Sequence, residues 1–526
     1  MARLLAVVVA TALAAAFAAP VLAQSPPRAA LQMLFVIDGL RPDSITEAET
    51  PNLYRLRSEG VSFDNGHSVF PTVTRVNSTS LSTGMQPGRH GILGNQIYVP
   101  AVDPAKAFGN DNDNFLPLLK LDEATNGRMV LAPSIADYAA EAGLRYVALS
   151  SGSTGSALLM APRAPHGSGT LINGEFYGGA SAGWPEAVSN EVLKRFGKAP
   201  KKGGAKDHFD APVDWSMRVL REYVLPELKP NVAYVWVTEP DHIQHAFGAG
   251  APESLASIRN VDRNLGLVLE TLTKLGLRER TNILVVSDHG FGQTVYGVNL
   301  AQELLEGGFK PDDFVIASSG QTVALHAKGR EPNLVRALAQ FLQKQPWCGV
   351  VFTAKGARAA HAGSVPGTFS LEYAHLGGGE RSPDLVFTFP WTSARNRHGV
   401  PGTDYVMITG GSTGPLDTTG ANHGSMSPWT VKNTMLGWGA DFKRGARLRT
   451  PSSNADVTPT VLHLLGHAKA AMLDGRVLRE ALAGGPDEEQ VAVETRTLRV
   501  ASGAYRAALQ VTETDGRRYL DKSWRE

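Results

Sequence analysis

Three short apolar runs, each ending in acidic or histidine residues, constrain this chain more than any other feature: MLFVID at 33–38, YVWVTEPD at 234–241 and NILVVSDHG at 282–290. Continuous apolar runs of this length read as strands buried on both faces, the usual state in a parallel sheet. Helical patterns at 215–228 and 253–275 precede the second and third runs. That alternation predicts βαβ units with right-handed crossovers, hence an α/β fold built on a doubly wound, mostly parallel sheet. Ligands of such sheets bind beyond the carboxyl ends of the strands, where these acidic residues fall.

Further units surround this frame. A helix at 134–142 precedes a strand at 146–149, a helix at 333–344 precedes a strand at 349–352, and 384–389 reads as another apolar strand. The segment from about 292 to 380 separates two groups of candidate site residues and is expected to form a small αβ insertion. Stretches rich in Gly, Ser and Thr at 151–156, 165–183 and 410–426 read as surface loops.

Residues 1–23 read as a cleaved secretory signal: Arg3 supplies the positive start, residues 4–19 the apolar stretch, and Val21-Leu22-Ala23 the small residues before cleavage. The run is short for a membrane span and Pro20 interrupts it, so an exported protein, periplasmic or secreted, with no span after cleavage is expected. Lys plus Arg number 51 against 50 Asp plus Glu, a net charge of +1. Binding of nucleic-acid polymers by bulk charge is thereby excluded, and an acidic substrate must be held locally. Cys348 is the single cysteine, so there is no internal disulfide, and metals must be held by Asp, Glu and His.

A two-metal hydrolase needs oxygen and imidazole ligands on rigid strand ends, around ions roughly 4 Å apart. Asp38 ends the first run, Asp241 and His245 stand four apart after the second, and Asp288-His289 ends the third. The four-residue spacing puts Asp241 and His245 on one face if the backbone turns helically there. His242 lies between them and reads as structural. Each residue alone is commonly a turn former or a surface histidine; their coincidence at one sheet edge is what points to metal chemistry.

The stretch FPTVTRVNSTSLSTGMQPGRHGILGN at 70–95 strongly resembles the nucleophile segment of nucleotide pyrophosphatase/phosphodiesterases, a branch of the alkaline phosphatase superfamily. DGLR at Asp38, TPNL at Thr50, EPDHIQH at Glu239, SDHG at Ser287 and the late NHG at Asn422 match the family's other segments in order. The resemblance implies an alkaline phosphatase-like core over 24–526 and two Zn²⁺ ions. It makes Asp38, Asp288 and His289 ligands of one zinc, with Thr74 completing that site as nucleophile. Asp241, His245 and His423 become ligands of the other, and Asn95 the hydrogen-bond partner of a nonbridging phosphoryl oxygen. Thr72 is the rival nucleophile, which the motif alignment rejects in favour of Thr74. His90 reads as a support for its loop and Cys348 as a small buried hydrophobe.

The sequence also departs from the family. Many nucleotide-hydrolysing relatives carry Phe-Pro-Asn after the nucleophile, with the ring holding the base, where this chain has Arg75-Val76-Asn77. Arg75 either contacts an anionic substrate or faces water. Monoesterases of the superfamily add Lys and Arg near the phosphate, whereas residues 148–163 offer Arg163 and no Lys, which favours a monoanionic diester. No C/S-x-P-x-R segment is present, which excludes the sulfatase branch. The expected activity is therefore hydrolysis of small phosphate diesters through a phosphothreonine intermediate. A phosphomonoesterase is the nearest alternative and a noncatalytic phosphate-binding protein a remote one.

Overall fold

The computed structural model describes residues 29–109 and 115–526, so the expected signal at 1–23 lies outside the described residues. A nine-stranded mixed sheet forms the core. Its centre is parallel, running from Thr281–Val286 through Leu31–Ile37, Val232–Val237 and Tyr146–Ser150 to Thr170–Asn173. Met435–Trp438, Val61–Phe63 and Ala446–Leu448 extend one side, and Gly183–Trp184 pairs antiparallel on the other.

Side chains of a strand alternate between faces. Leu34, Val36, Tyr234, Trp236, Leu284 and Val286 therefore enter one apolar layer, and Met33, Phe35, Ile37, Val235, Val237, Ile283 and Val285 the other. Burial on both faces is why the sequence runs are unbroken. The helix Pro252–Lys274 covers the second layer with Ile258, Val261, Leu265, Val268 and Leu272. Register matters most for function. Val36 pairs with Val286 and Ile37 with Val237, so the three strands end level and release Asp38, Asp241 and Asp288 at one edge.

Two expectations need correction. The stretches at 151–156 and 165–183 are not simply surface loops: Thr154–Met160 is a fully buried helix and Thr170–Asn173 is a sheet strand. Small residues here serve close packing, since Ser78 Oγ donates to Ser156 O at 2.9 Å and Ser82 Oγ to Leu159 O at 2.9 Å across the contact with helix Thr74–Thr83. The expected helix at 215–228 is α-helical over Asp210–Val219 and widens to a π-helix over Leu220–Leu228, which contains Pro226. Proline has no N–H for the regular ladder, which is consistent with the change of pitch.

Residues 287–434 run outside the main sheet. Within them lies a five-stranded sheet ordered Phe314–Ser318, Thr322–Ala327, Leu385–Thr388, Val351–Thr353, Phe369–Ser370, with the helix Pro332–Lys344 packed against it. Cys348 is buried in the same cluster, where desolvation pushes its thiol up. A C-terminal antiparallel meander, Glu494–Ser502, Tyr505–Thr514 and Arg517–Arg525, adds Tyr505, Leu509, Val511 and Leu520 to that cluster.

Candidate metal centre and active site

The strand ends deliver three carboxylates to one point. Asp38 Oδ1, Asp241 Oδ1 and Asp288 Oδ2 lie 3.5, 3.8 and 3.0 Å from His289 Nε2. All three oxygens are buried, and among the described residues none accepts a hydrogen bond. Buried anionic oxygens left bare cost several kcal/mol unless a cation compensates them. The other oxygens of Asp38 and Asp288 are occupied: Trp236 Nε1 donates to Asp38 Oδ2 at 3.1 Å, and the Gly39 N–H donates to Asp288 Oδ1 at 3.0 Å.

The imidazoles are turned the same way. Nδ1 of His245, His289 and His423 each faces a backbone carbonyl at 3.0 Å, those of Ala421, Gly290 and Thr72 respectively. A carbonyl can only accept, so Nδ1 carries a proton and Nε2 is the nitrogen turned to the centre. His245 Nε2 and His423 Nε2 lie 3.5 and 3.4 Å from Asp241 Oδ1. Two groups of ligand atoms, Asp38–Asp288–His289 and Asp241–His289–His423, each fall within 4.8 Å of one another and could hold a metal ion. His289 thus borders both groups, where the resemblance places it in one. Its ring stacks on that of His423 at 3.5 Å.

The electrostatics follow from this crowding. Burial, then Asp288 and Asp241, raise the Asp38 carboxyl well above its ordinary value. Burial pushes Asp241 up as well, but His245, His423 and His289 outweigh it and hold the group below its usual range. Burial and the neighbouring His289 push His423 far down, toward the neutral ligand form.

Thr74 opens the helix Thr74–Thr83, with its Oγ1 3.4 Å from His289 Nε2. A helix N-terminus favours anionic charge at this spot. The Thr72 hydroxyl is committed elsewhere, donating to Ser425 O at 2.8 Å and accepting from the Gly424 N–H at 3.1 Å. Asn95 Oδ1 accepts from the Arg75 N–H at 3.3 Å, which leaves the NH₂ end of the amide as its donor. Asp38, Asp288, His289 and His423 form the buried floor, while Thr74, Asn95, Asp241 and His245 stand at the mouth.

Other singled-out residues lie apart. His242 stacks on Phe209 at 3.5 Å, and the buried His90 bonds Ser80 Oγ at 3.0 Å. Arg75 does not face water: it is 2% exposed, and a β-carbon on Gly155 would collide with its guanidinium. Arg163 is exposed and 3.9 Å from Asp137. Sequence reasoning gave no notice of Trp236 as an Asp38 donor or of Ser319, whose Oγ accepts from the Asn95 N–H at 3.0 Å. An indole inside an apolar run and a serine in a turn carry no pattern of their own.

A family model described as type I phosphodiesterase/nucleotide pyrophosphatase matches residues 33–392, more than half of the chain. The chain belongs to this family. Among curated relatives, venom phosphodiesterase 2 of Crotalus adamanteus is 27% identical over 261 residues, covering 49% of this chain and 26% of that protein. Human ectonucleotide pyrophosphatase/phosphodiesterase family member 1 is 26% identical over 274 residues, covering 51% and 24%. The match spans about a quarter of the length of both. Murine ectonucleotide pyrophosphatase/phosphodiesterase 5 superposes with a TM-score of 0.59 at 18% identity, over 86% of this chain and 100% of that structure. The shared architecture is the alkaline phosphatase-like α/β fold. Among the described residues no helix is long and apolar enough to cross a membrane.

Proposed function

We propose that this family member is an exported, zinc-dependent phosphodiesterase/pyrophosphatase that hydrolyses small phosphate diesters through a phosphothreonine intermediate. The observation that carries the reading is the meeting of Thr74 Oγ1 with three bare carboxylate oxygens around His289. The donor set, carboxylate oxygens and neutral imidazole Nε2 atoms, suits Zn²⁺. Asp38, Asp288 and His289 would hold one ion and Asp241, His245 and His423 the other. Bound there, the ions supply charge neutralisation, a lowered hydroxyl pKa and stabilisation of the leaving oxygen.

Thr74 Oγ attacks phosphorus as the bond to the leaving oxygen breaks, forming the phosphothreonine ester. Water then cleaves that ester and returns the hydroxyl. The Asn95 amide holds a nonbridging oxygen throughout, so positioning and charge stabilisation do most of the work. The single cation of 148–163, Arg163, is exposed and 3.9 Å from Asp137, and a stretch that supplies no Lys–Arg pair supports a diester preference. Relatives named as venom and ectoenzyme phosphodiesterases support export.

The test compares bis-p-nitrophenyl phosphate with p-nitrophenyl phosphate on the zinc-restored enzyme. The diester is expected to turn over faster; a clearly faster monoester would make this a phosphomonoesterase. Thr74→Ala is expected to lower kcat by about 10³-fold or more with metal content retained. Unchanged turnover in that variant removes Thr74 as nucleophile.

A further inference from the structure

One turn of the five-stranded sheet touches both loops that complete the site. It connects Phe314–Ser318 to Thr322–Ala327 and is closed by the Ser319 N–H donating to Thr322 O at 2.8 Å. On one side it is laced to the Asn95 loop. The Asn95 N–H donates to Ser319 Oγ at 3.0 Å, and the Ser318 N–H donates to Gln96 Oε1 at 3.0 Å. Gly94 permits this approach, because a β-carbon there would collide with Ser319 Oγ.

On the other side the same turn is laced to the His423 loop. The Thr322 hydroxyl donates to Gly424 O at 2.6 Å. Gly424 has φ +114°, and a β-carbon there would run into Ser319 O, so the two loops pass at backbone contact distance. Ser319 and Thr322 are 7% and 2% exposed, so water does not readily replace a lost bond.

We propose that this turn is a positioning element that sets Asn95 against His423, with the Ser319 hydroxyl acting on turnover through Asn95. The inference rests on the proposed function, in which Asn95 holds a phosphoryl oxygen. Asn95 lies in an irregular segment between the helix Pro87–His90 and the two-residue strand Gln96–Ile97, which does little by itself to fix it. A donor aimed at developing charge must be held to within about 0.5 Å, and residues that orient such groups are worth roughly 10–100-fold in activity. The turn supplies the anchor from outside the main sheet.

The experiment is a cycle of Ser319→Ala, Asn95→Ala and the double variant, assayed on bis-p-nitrophenyl phosphate with melting curves alongside. Ser319→Ala is expected to lower kcat about tenfold with KM changed less, and in the Asn95→Ala background its further effect is expected to fall below about twofold. Ser319→Thr restores the hydroxyl and is expected to recover most of the loss. Thr322→Val is expected to weaken retention of metal against a chelator. Equal losses from Ser319→Ala in both backgrounds overturn the proposal, as does an inert Ser319→Ala beside a damaging Asn95→Ala. An inert Asn95→Ala takes down the role of Asn95 in the proposed function together with this inference. If Ser319→Ala fails to fold, Gly94→Ala strains the same contact from the opposite side and is read against Asn95→Ala in the same way.

Discussion

Three carbonyl-fixed imidazoles and three bare carboxylate oxygens leave little room for alternative arrangements at the sheet edge. Each histidine can offer only Nε2, and Asp241 Oδ1 lies within 3.8 Å of all three of those nitrogens. Asp241 is therefore the residue on which the metal group around His245 and His423 depends most. Asp241→Ala is expected to lose about one equivalent of bound metal and several orders of magnitude in kcat; two fully occupied positions by elemental analysis would contradict that. Candidates at strand ends were legible because an ionisable side chain is out of place at the end of an apolar run. His423 was legible through resemblance alone, since its position depends on Thr72 O and on a loop distant in sequence. Of the two alternatives the sequence leaves open for Arg75, the water-facing one fails, because burial of an arginine against Gly155 is set by a helix with which it shares no sequence pattern.

At the scale of elements, the helix Thr74–Thr83 shows why polar composition misleads. Thr74–Thr83 buries Ser78, Thr79, Ser80, Ser82 and Thr83, satisfying Thr79 through Arg75 O at 2.7 Å and Thr83 through Thr79 O at 2.7 Å. Hydroxyls that bond back to the preceding turn or to a neighbouring helix can sit inside, so apolar periodicity disappears while the helix remains. The helix is also keyed to the loop that carries Asp288. Asn454 Nδ2 lies 2.9 Å from both Asn77 Oδ1 and Asp288 O, and Asn454 Oδ1 accepts from Asn433 Nδ2 at 2.7 Å. Asn454→Ala would remove three buried hydrogen bonds at once and leave Asp288 O without its Asn454 donor, and a loss of about 2–4 kcal/mol is expected from urea unfolding. A loss below about 0.5 kcal/mol would show that the network carries no stability, because surface-like substitutions fall in that range.

Over the whole molecule, the four central strands of the main sheet could be read from sequence because they are continuous apolar runs, whereas its short outer strands and the C-terminal meander, whose first strand is exposed and charged, carry no such run. A local signal is the pair Asp515-Gly516, both at positive φ, a turn that favours these residue types in a hairpin. The meander is fastened to the rest by Asp521, whose Oδ1 lies 2.8 Å from His67 Nε2 while Oδ2 accepts from Thr512 Oγ1 at 2.8 Å and Gln510 Nε2 at 3.2 Å. Burial pushes this carboxyl up, but His67 and the two other donors hold it below its ordinary 3.8. A carboxyl with a folded value below its unfolded one binds fewer protons when folded, so its contribution is complete above about pH 4–5 and fades as pH falls through that range toward the folded value. Asp521→Asn removes the charge with little change of shape. The stability difference between parent and variant is expected to be about 1–2 kcal/mol at pH 7 and to shrink steadily below about pH 4. Taking the difference removes the acid sensitivity that both proteins share through the metal-centre carboxylates. Urea midpoints measured from pH 7 to pH 3 decide it: a difference that stays constant or grows with acid would mean that Asp521 is not held in its charged form by the fold.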